Sequence, residues 1–242
     1  MATMTLDELV KQLQAAYGQN LVSVVLYGSA AAGEHVQKKS DYNVLVLLNR
    51  VDAAHLAAAS SVARAWRESG NPPPMTMTVD EWRHSADVFP MEYADILERH
   101  RVLHGAPPFE GISVSSDDLR LQLESQVMGK LLQLRQGALL AGTDTKRQLE
   151  LIEASFSTIM VLFRAVLRLN REKPPVDNAA LSDGVGRLVG FDAAPFVRMA
   201  RHHRGDARIP DGDASVIFSH YLAGVERLDA YLDTFTREER SP

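Results

Sequence analysis

The 242-residue chain contains no cysteine. That absence excludes disulfides, zinc–thiolate sites and cysteine nucleophiles, and it accords with a reducing cytoplasm, the expected location. Long apolar runs are missing too: nowhere do about eighteen apolar residues follow one another, as a membrane span needs. The opening MATMTLDELVKQLQAAYG has the pattern of an amphipathic helix with acids, not the apolar core of a signal peptide. No membrane partner is expected. A basic excess is also absent, since the formal charge is −5, which argues against a broad nucleic-acid surface. Apolar residues make up 45% of the chain, enough for real cores in one large or two modest domains. There is no internal repeat and no low-complexity tract.

One stretch organises the rest, LVSVVLYGSAAAGEHVQKKSDYNVLVLL, from Leu21 to Leu48. Val22 to Tyr27 is an unbroken apolar, β-branched run that suits a strand covered on both faces. Gly28 lets the chain leave that strand sharply and lets a ligand approach the backbone without meeting a Cβ. Ser29 opens a short Ala-rich segment suited to one or two helical turns, whose free N–H groups attract anions, phosphate above all. Val44 to Leu48 reads as a second strand. Side chains alternate along a strand, so Asp41 and Asn43 are expected on one face and Tyr42 and Val44 on the other. A carboxylate and a carboxamide then stand side by side beyond a turn suited to phosphate.

This arrangement resembles the signature of the nucleotidyltransferases of the DNA polymerase beta superfamily. In that family an apolar strand leads into Gly-Ser, and a short crossing leads to Asp-x-Asp or Asp-x-Glu and a further apolar strand. The match is Gly28, Ser29, the tetrapeptide Ser40-Asp41-Tyr42-Asn43 and the strand after it. It covers roughly the first hundred residues, with a helical tail compatible with the bacterial minimal and antibiotic-modifying members. The resemblance implies nucleotide binding by Gly28 and Ser29, and catalytic and metal-holding roles for Asp41 and Asn43. It also implies magnesium as cofactor, a nucleoside triphosphate as ligand, and transfer of a nucleoside monophosphate to a hydroxyl acceptor on a small molecule or a protein. Asn43 stands where the family has its second acid. An amide keeps an oxygen but removes a charge, and magnesium prefers hard anionic oxygen. The expected site is therefore weak, holding a single ion. Two outcomes stay open: an active transferase, or a catalytically inactive nucleotide-binding or interaction protein.

Taken in order, Thr5 or Asp7 caps a first helix with Leu9, Val10, Leu13 and Tyr17 inward. Arg50-Val51-Asp52 opens a second helix running through Leu56, Val62 and Trp66. Met75 to Val79 alternates as a third strand, with Met75, Met77 and Val79 on one face. Thr76 or Thr78 is then expected on the face where the resemblance places the base, converging with Ser29, Asp41 and Asn43. Asp80 and Glu81 read as the start of the next turn. A helix after Pro90 precedes an edge strand at Arg101 to Leu103. Glu92, Asp95 and Arg99 share one face of that helix, either as a solvated ion-paired face or as charges bordering a cleft. Ala106 to Gly111, with two prolines, reads as a linker.

Beyond it every period is helical. Ser115 or Ser116 opens a helix with Leu119, Leu123, Val127, Leu131 and Leu134 inward. A long helix spans Asp144 to Asn170, shorter ones Asn178–Leu188 and Ala194–His202, and a last one Ala214 to about Glu238 with Val216 and Tyr221 inward. The expected fold class is α+β. Residues 1–110 form a nucleotidyltransferase-like mixed sheet with flanking helices and 111–242 an all-α bundle, with a cleft between them. The bundle is also a candidate homodimer or partner surface. Arg198 and His203 make a spacing that resembles the ribonuclease motif of helical HEPN domains, in which histidine moves protons and arginine steadies phosphate.

Overall fold

The computed structural model describes residues 4–28, 30–31 and 41–235. The chain divides between Ser115 and Ser116 into two compact units.

The first unit is a four-stranded mixed sheet with helices on both faces. Helix α1, Leu6–Tyr17, is started by a capping box: Thr5 Oγ1 accepts from Glu8 N–H at 3.2 Å and Glu8 Oε2 accepts from Thr5 N–H at 2.8 Å. Strands β1, Leu21–Tyr27, and β2, Asn43–Leu48, are antiparallel, with Tyr27 opposite Asn43. Strand β3, Met75–Thr78, runs parallel to β2, and β4, His100–Gly105, antiparallel to β1, giving the order β3-β2-β1-β4. Helices α2, Ala53–Ala58, and α3, Ser60–Glu68, connect β2 to β3; α4, Val79–His84, and α5, Pro90–Glu98, connect β3 to β4.

Two cores form because β1 and β2 are covered on both sides. On one face Val24, Leu26, Val44, Val46 and Leu48 pack with Leu9 and Leu13 of α1 and Val62 and Trp66 of α3. On the other, Val25, Leu45 and Leu47 pack with Trp82 of α4 and Tyr93 and Ile96 of α5. Trp82 and Tyr93 stack at 4.1 Å; the Trp82 indole donates to Pro108 O at 2.7 Å and the Tyr93 hydroxyl to Trp82 O at 2.7 Å. Burial with that polar tip satisfied pushes the Tyr93 phenol up to about 12.

The structure corrects two local readings of the sequence. The second helix is two helices, broken at Ala59, and Leu56 is 51% exposed. Followed backwards at helical spacing, the buried stripe Trp66, Val62, Ala59 reaches half-buried His55 rather than Leu56. Strand β3 stops at Thr78, because Thr78 and Glu81 form a second capping box and turn Val79 into the first residue of α4. The Pro-rich crossing at 106–111 has no helix or strand, and its Phe109 ring lies 4.0 Å from His100, with Ile112 and Val114 beyond it packed on the second core.

The second unit is all helical: α6, Ser116–Ala141; α7, Thr145–Leu169; α8, Asn178–Val189; α9, Ala194–Arg204; and α10, Ala214–Asp233. Phe163, Phe191, Phe196 and Tyr221 form an aromatic centre, Phe196 and Tyr221 lying 4.4 Å apart. Ser155 spends its proton on Ile152 O at 2.9 Å, so the buried Tyr221 hydroxyl donates to Ser155 at 3.0 Å. Val216, expected inward on α10, is 61% exposed, while Ile217 and Tyr221 carry the buried stripe.

Candidate functional site

The sequence points to the end of the sheet where β1 stops and β2 starts. Gly28 follows Tyr27 with φ +76°, in the left-handed region that glycine enters without strain. Its N–H is not free for a ligand; it donates to Arg99 O at 3.1 Å, latching the exit of β1 to the end of α5. Ala31 N–H then bonds back to Gly28 O at 3.1 Å, so the chain turns tightly after the strand. Ser29, and the crossing from 32 to 40, lie outside the described residues.

Asn43, the first residue of β2, is half-buried on the same face as Leu45 and Leu47. Tyr42 points to the opposite face, as alternation requires. Its ring lies 6.1 Å from Trp66, and its N–H donates to the buried Asn71 side chain at 3.0 Å. Asp41 precedes the strand and is exposed.

Thr76 and Thr78 do not face Asn43. The parallel register sets Met75 beside Leu45 and Met77 beside Leu47, so the methionines share Asn43's face. The threonines share the other face with Val46 and Leu48. Thr78 is moreover used as a helix cap, and the Thr76 hydroxyl donates to Pro74 O at 3.3 Å.

What α5 brings to this face is Asp95. A Cβ placed on Gly28 would lie 3.5 Å from Asn43 Nδ2 and 3.8 Å from Asp95 Oδ2, so both side chains look onto the bare Cα of the turn. The other carboxylate oxygen of Asp95 is 3.6 Å from the guanidinium of Arg99, whose side chain is only 10% exposed. The Tyr27 hydroxyl is raised in pKa, first by burial and then by the charges of Glu92 and Asp95, so it stays protonated near neutral pH. The spacing of Glu92, Asp95 and Arg99 was visible in the sequence; which sheet face their helix would cover was not.

In the second unit Arg198 and His203 turn to different neighbours. Arg198 pairs with Asp213 at 2.5 Å, and the His203 ring lies 5.5 Å from Phe156. Five positions on a helix separate two side chains by about 140°. The adjacent His202 is committed to structure: Ile209 N–H donates to its Nδ1 at 3.1 Å, which leaves Nε2 to donate to Glu153 at 2.7 Å.

No protein-family model and no curated protein matches the chain in sequence. Solved structures do. The spectinomycin adenyltransferase AAD(9) from Enterococcus faecialis, solved with ATP and spectinomycin, aligns over 93% of this chain and 97% of its own, with a TM-score of 0.57 and 12% identity. The chain has a nucleotidyltransferase-like fold. A toxin–antitoxin structure with AMP-PNP also matches, over 56% of this chain and 96% of that one at 17% identity, but with a TM-score of 0.30, too low to establish a shared fold. No described helix is long and apolar enough to cross a membrane.

Proposed function

We propose that the protein binds a nucleoside triphosphate, as its magnesium complex, at the Gly28–Asn43 end of the sheet and transfers the nucleoside monophosphate to a hydroxyl acceptor. One observation carries this reading. In a nucleotidyltransferase-like fold, the side-chain-free turn at Gly28 looks onto Asn43 and Asp95.

Among the described residues no three carboxylate or imidazole side chains gather to hold a cation. The Asp41 carboxylate and the Asn43 amide oxygen suit instead a single magnesium that keeps phosphate oxygens and waters as its remaining ligands, as this ion usually does. When bound, the ion supplies charge against the phosphates and the leaving pyrophosphate. The rest falls to the chain. Gly28 admits the phosphates close to the backbone, and Ser29 keeps the binding role implied by the motif. In the transfer the acceptor oxygen bonds to the α-phosphorus, the bond to pyrophosphate breaks, and the acceptor proton must leave. Asp95 Oδ2 is the base that takes it, with Arg99 fixing the carboxylate through its other oxygen. The ATP and spectinomycin of the AAD(9) structure favour ATP as nucleotide and a small molecule as acceptor.

The test is calorimetry with each of the four nucleoside triphosphates, with and without magnesium, on the parent and on Asp41→Ala. Binding of at least one triphosphate that needs magnesium and is lost in Asp41→Ala is expected. Silence with all four, or full binding by Asp41→Ala, removes the reading. Such binding with no transfer to any acceptor leaves the inactive nucleotide-binding alternative.

A further inference from the structure

Helix α6 carries two apolar faces. Leu119, Leu123, Val127, Leu131 and Leu134 are buried in the second unit. Leu121, Met128, Leu132 and Leu139 are exposed, by 63, 39, 49 and 85%. These four are spaced by seven, four and seven residues. At about 100° per residue they fall in one strip about 40° wide, centred about 140° around the helix from the buried residues. Single exposed leucines are ordinary on a protein surface, but these four are aligned in a strip about 27 Å long, the pattern of a face available for contact.

The spacing also identifies the occupant, because it reads the same from either end. Leu121 and Leu139 lie nine residues to either side of Lys130, and Met128 and Leu132 lie two to either side. A second α6 laid antiparallel about a twofold axis level with Lys130 sets Leu121 on Leu139 and Met128 on Leu132 at both ends. An isologous contact requires such self-complementarity, and an unrelated partner does not.

The rim agrees in charge. In that register the ideal helix positions bring Glu124 of one copy beside Arg135 of the other on one side of the strip, and Ser125 beside Gln136 on the other. Within one chain Glu124 already pairs with Arg120, and Arg135 with Glu226 at 2.8 Å, so the contact would extend an existing surface network. We propose that the protein forms a homodimer through an antiparallel α6–α6 contact centred on these four apolar side chains.

Light scattering after size exclusion tests the assembly. The parent is expected at twice the chain mass and Leu121→Lys/Leu139→Lys at the chain mass. Both positions are exposed, so the variant should fold, and its melting curve checks that. Cysteines test the register cleanly, since the chain has none. In Leu121→Cys/Leu139→Cys the two sites are about 27 Å apart along one helix and cannot close within a chain. Oxidation should therefore yield a covalent dimer, while Leu121→Cys alone, whose two copies lie about 27 Å apart across the twofold axis, should stay uncrosslinked. A monomeric parent, a dimer indifferent to the lysines, or equal crosslinking of the two cysteine variants would overturn the proposal.

Discussion

Asn43 and Asp95 face the same bare glycine but carry different parts of the proposed chemistry. Asn43 offers an oxygen without a charge, so Asn43→Asp should tighten magnesium-dependent nucleotide binding about tenfold, or ~1.4 kcal/mol. Calorimetry at fixed magnesium reads it, and an unchanged affinity would place Asn43 away from the cation. Asp95 is proposed to act on the proton. Replacement by Asn keeps its shape and removes its basicity. Transfer measured by pyrophosphate release should fall by about 10²–10⁴ in Asp95→Asn, with nucleotide affinity nearly unchanged. Loss of binding in step with rate would make Asp95 part of the ligand site instead. The carboxamide at 43 is plain in the sequence. The proposed base is not, because Asp95 lies 52 residues away on a helix whose covered face depends on the path of the chain between them.

At the level of elements, strand β4 is tied to β1 by a close backbone approach. Gly105 sits opposite Ser23 with φ +79°, and a Cβ there would lie 2.0 Å from the Val22 carbonyl oxygen. No rotamer change can relieve a clash between backbone and Cβ. Gly105→Ala should cost about 2–4 kcal/mol, seen as a lower urea midpoint with an unchanged slope. A midpoint within error of the parent would mean that the end of β4 is free to move. The elements themselves were largely legible. The capping residue Thr5, the apolar runs of β1 and β2, and the leucine periods of α6 and α7 each follow from local spacing. The misreadings are equally physical. The break at Ala59 lies inside an Ala-Ser run that suits a helix throughout, and Val79 fits a strand until Thr78 and Glu81 close a cap around it.

For the molecule as a whole, each unit buries a tyrosine in its interior, Tyr93 in the first and Tyr221 in the second. Burial holds the Tyr93 phenol up to about 12 and raises that of Tyr221 as well. Both tyrosines are neutral when folded, whereas an unfolded tyrosine ionises near 10. The unfolded chain therefore binds fewer protons above pH ~10, and stability present below that pH must fall as pH rises toward 12. Denaturant melts across this range should show both units weakening, and Tyr93→Phe should flatten the fall for the first unit. A stability that is level through pH ~12 would mean that neither phenol is held neutral.

The sequence alone determined whatever depends on neighbours along the chain. It excluded thiol chemistry, set two apolar strands around Gly28, placed Asp41 and Asn43 two residues apart, and laid a helical pattern over everything past Ser116. Tertiary structure decided which distant groups meet. The parallel register of β3 on β2 turned Thr76 and Thr78 away from Asn43, and the packing of α5 on the second core brought Asp95 and Arg99 to Gly28 instead. A period of two along a strand shows that two faces differ, but only pairing with another strand and cover by a helix settle which face holds the site.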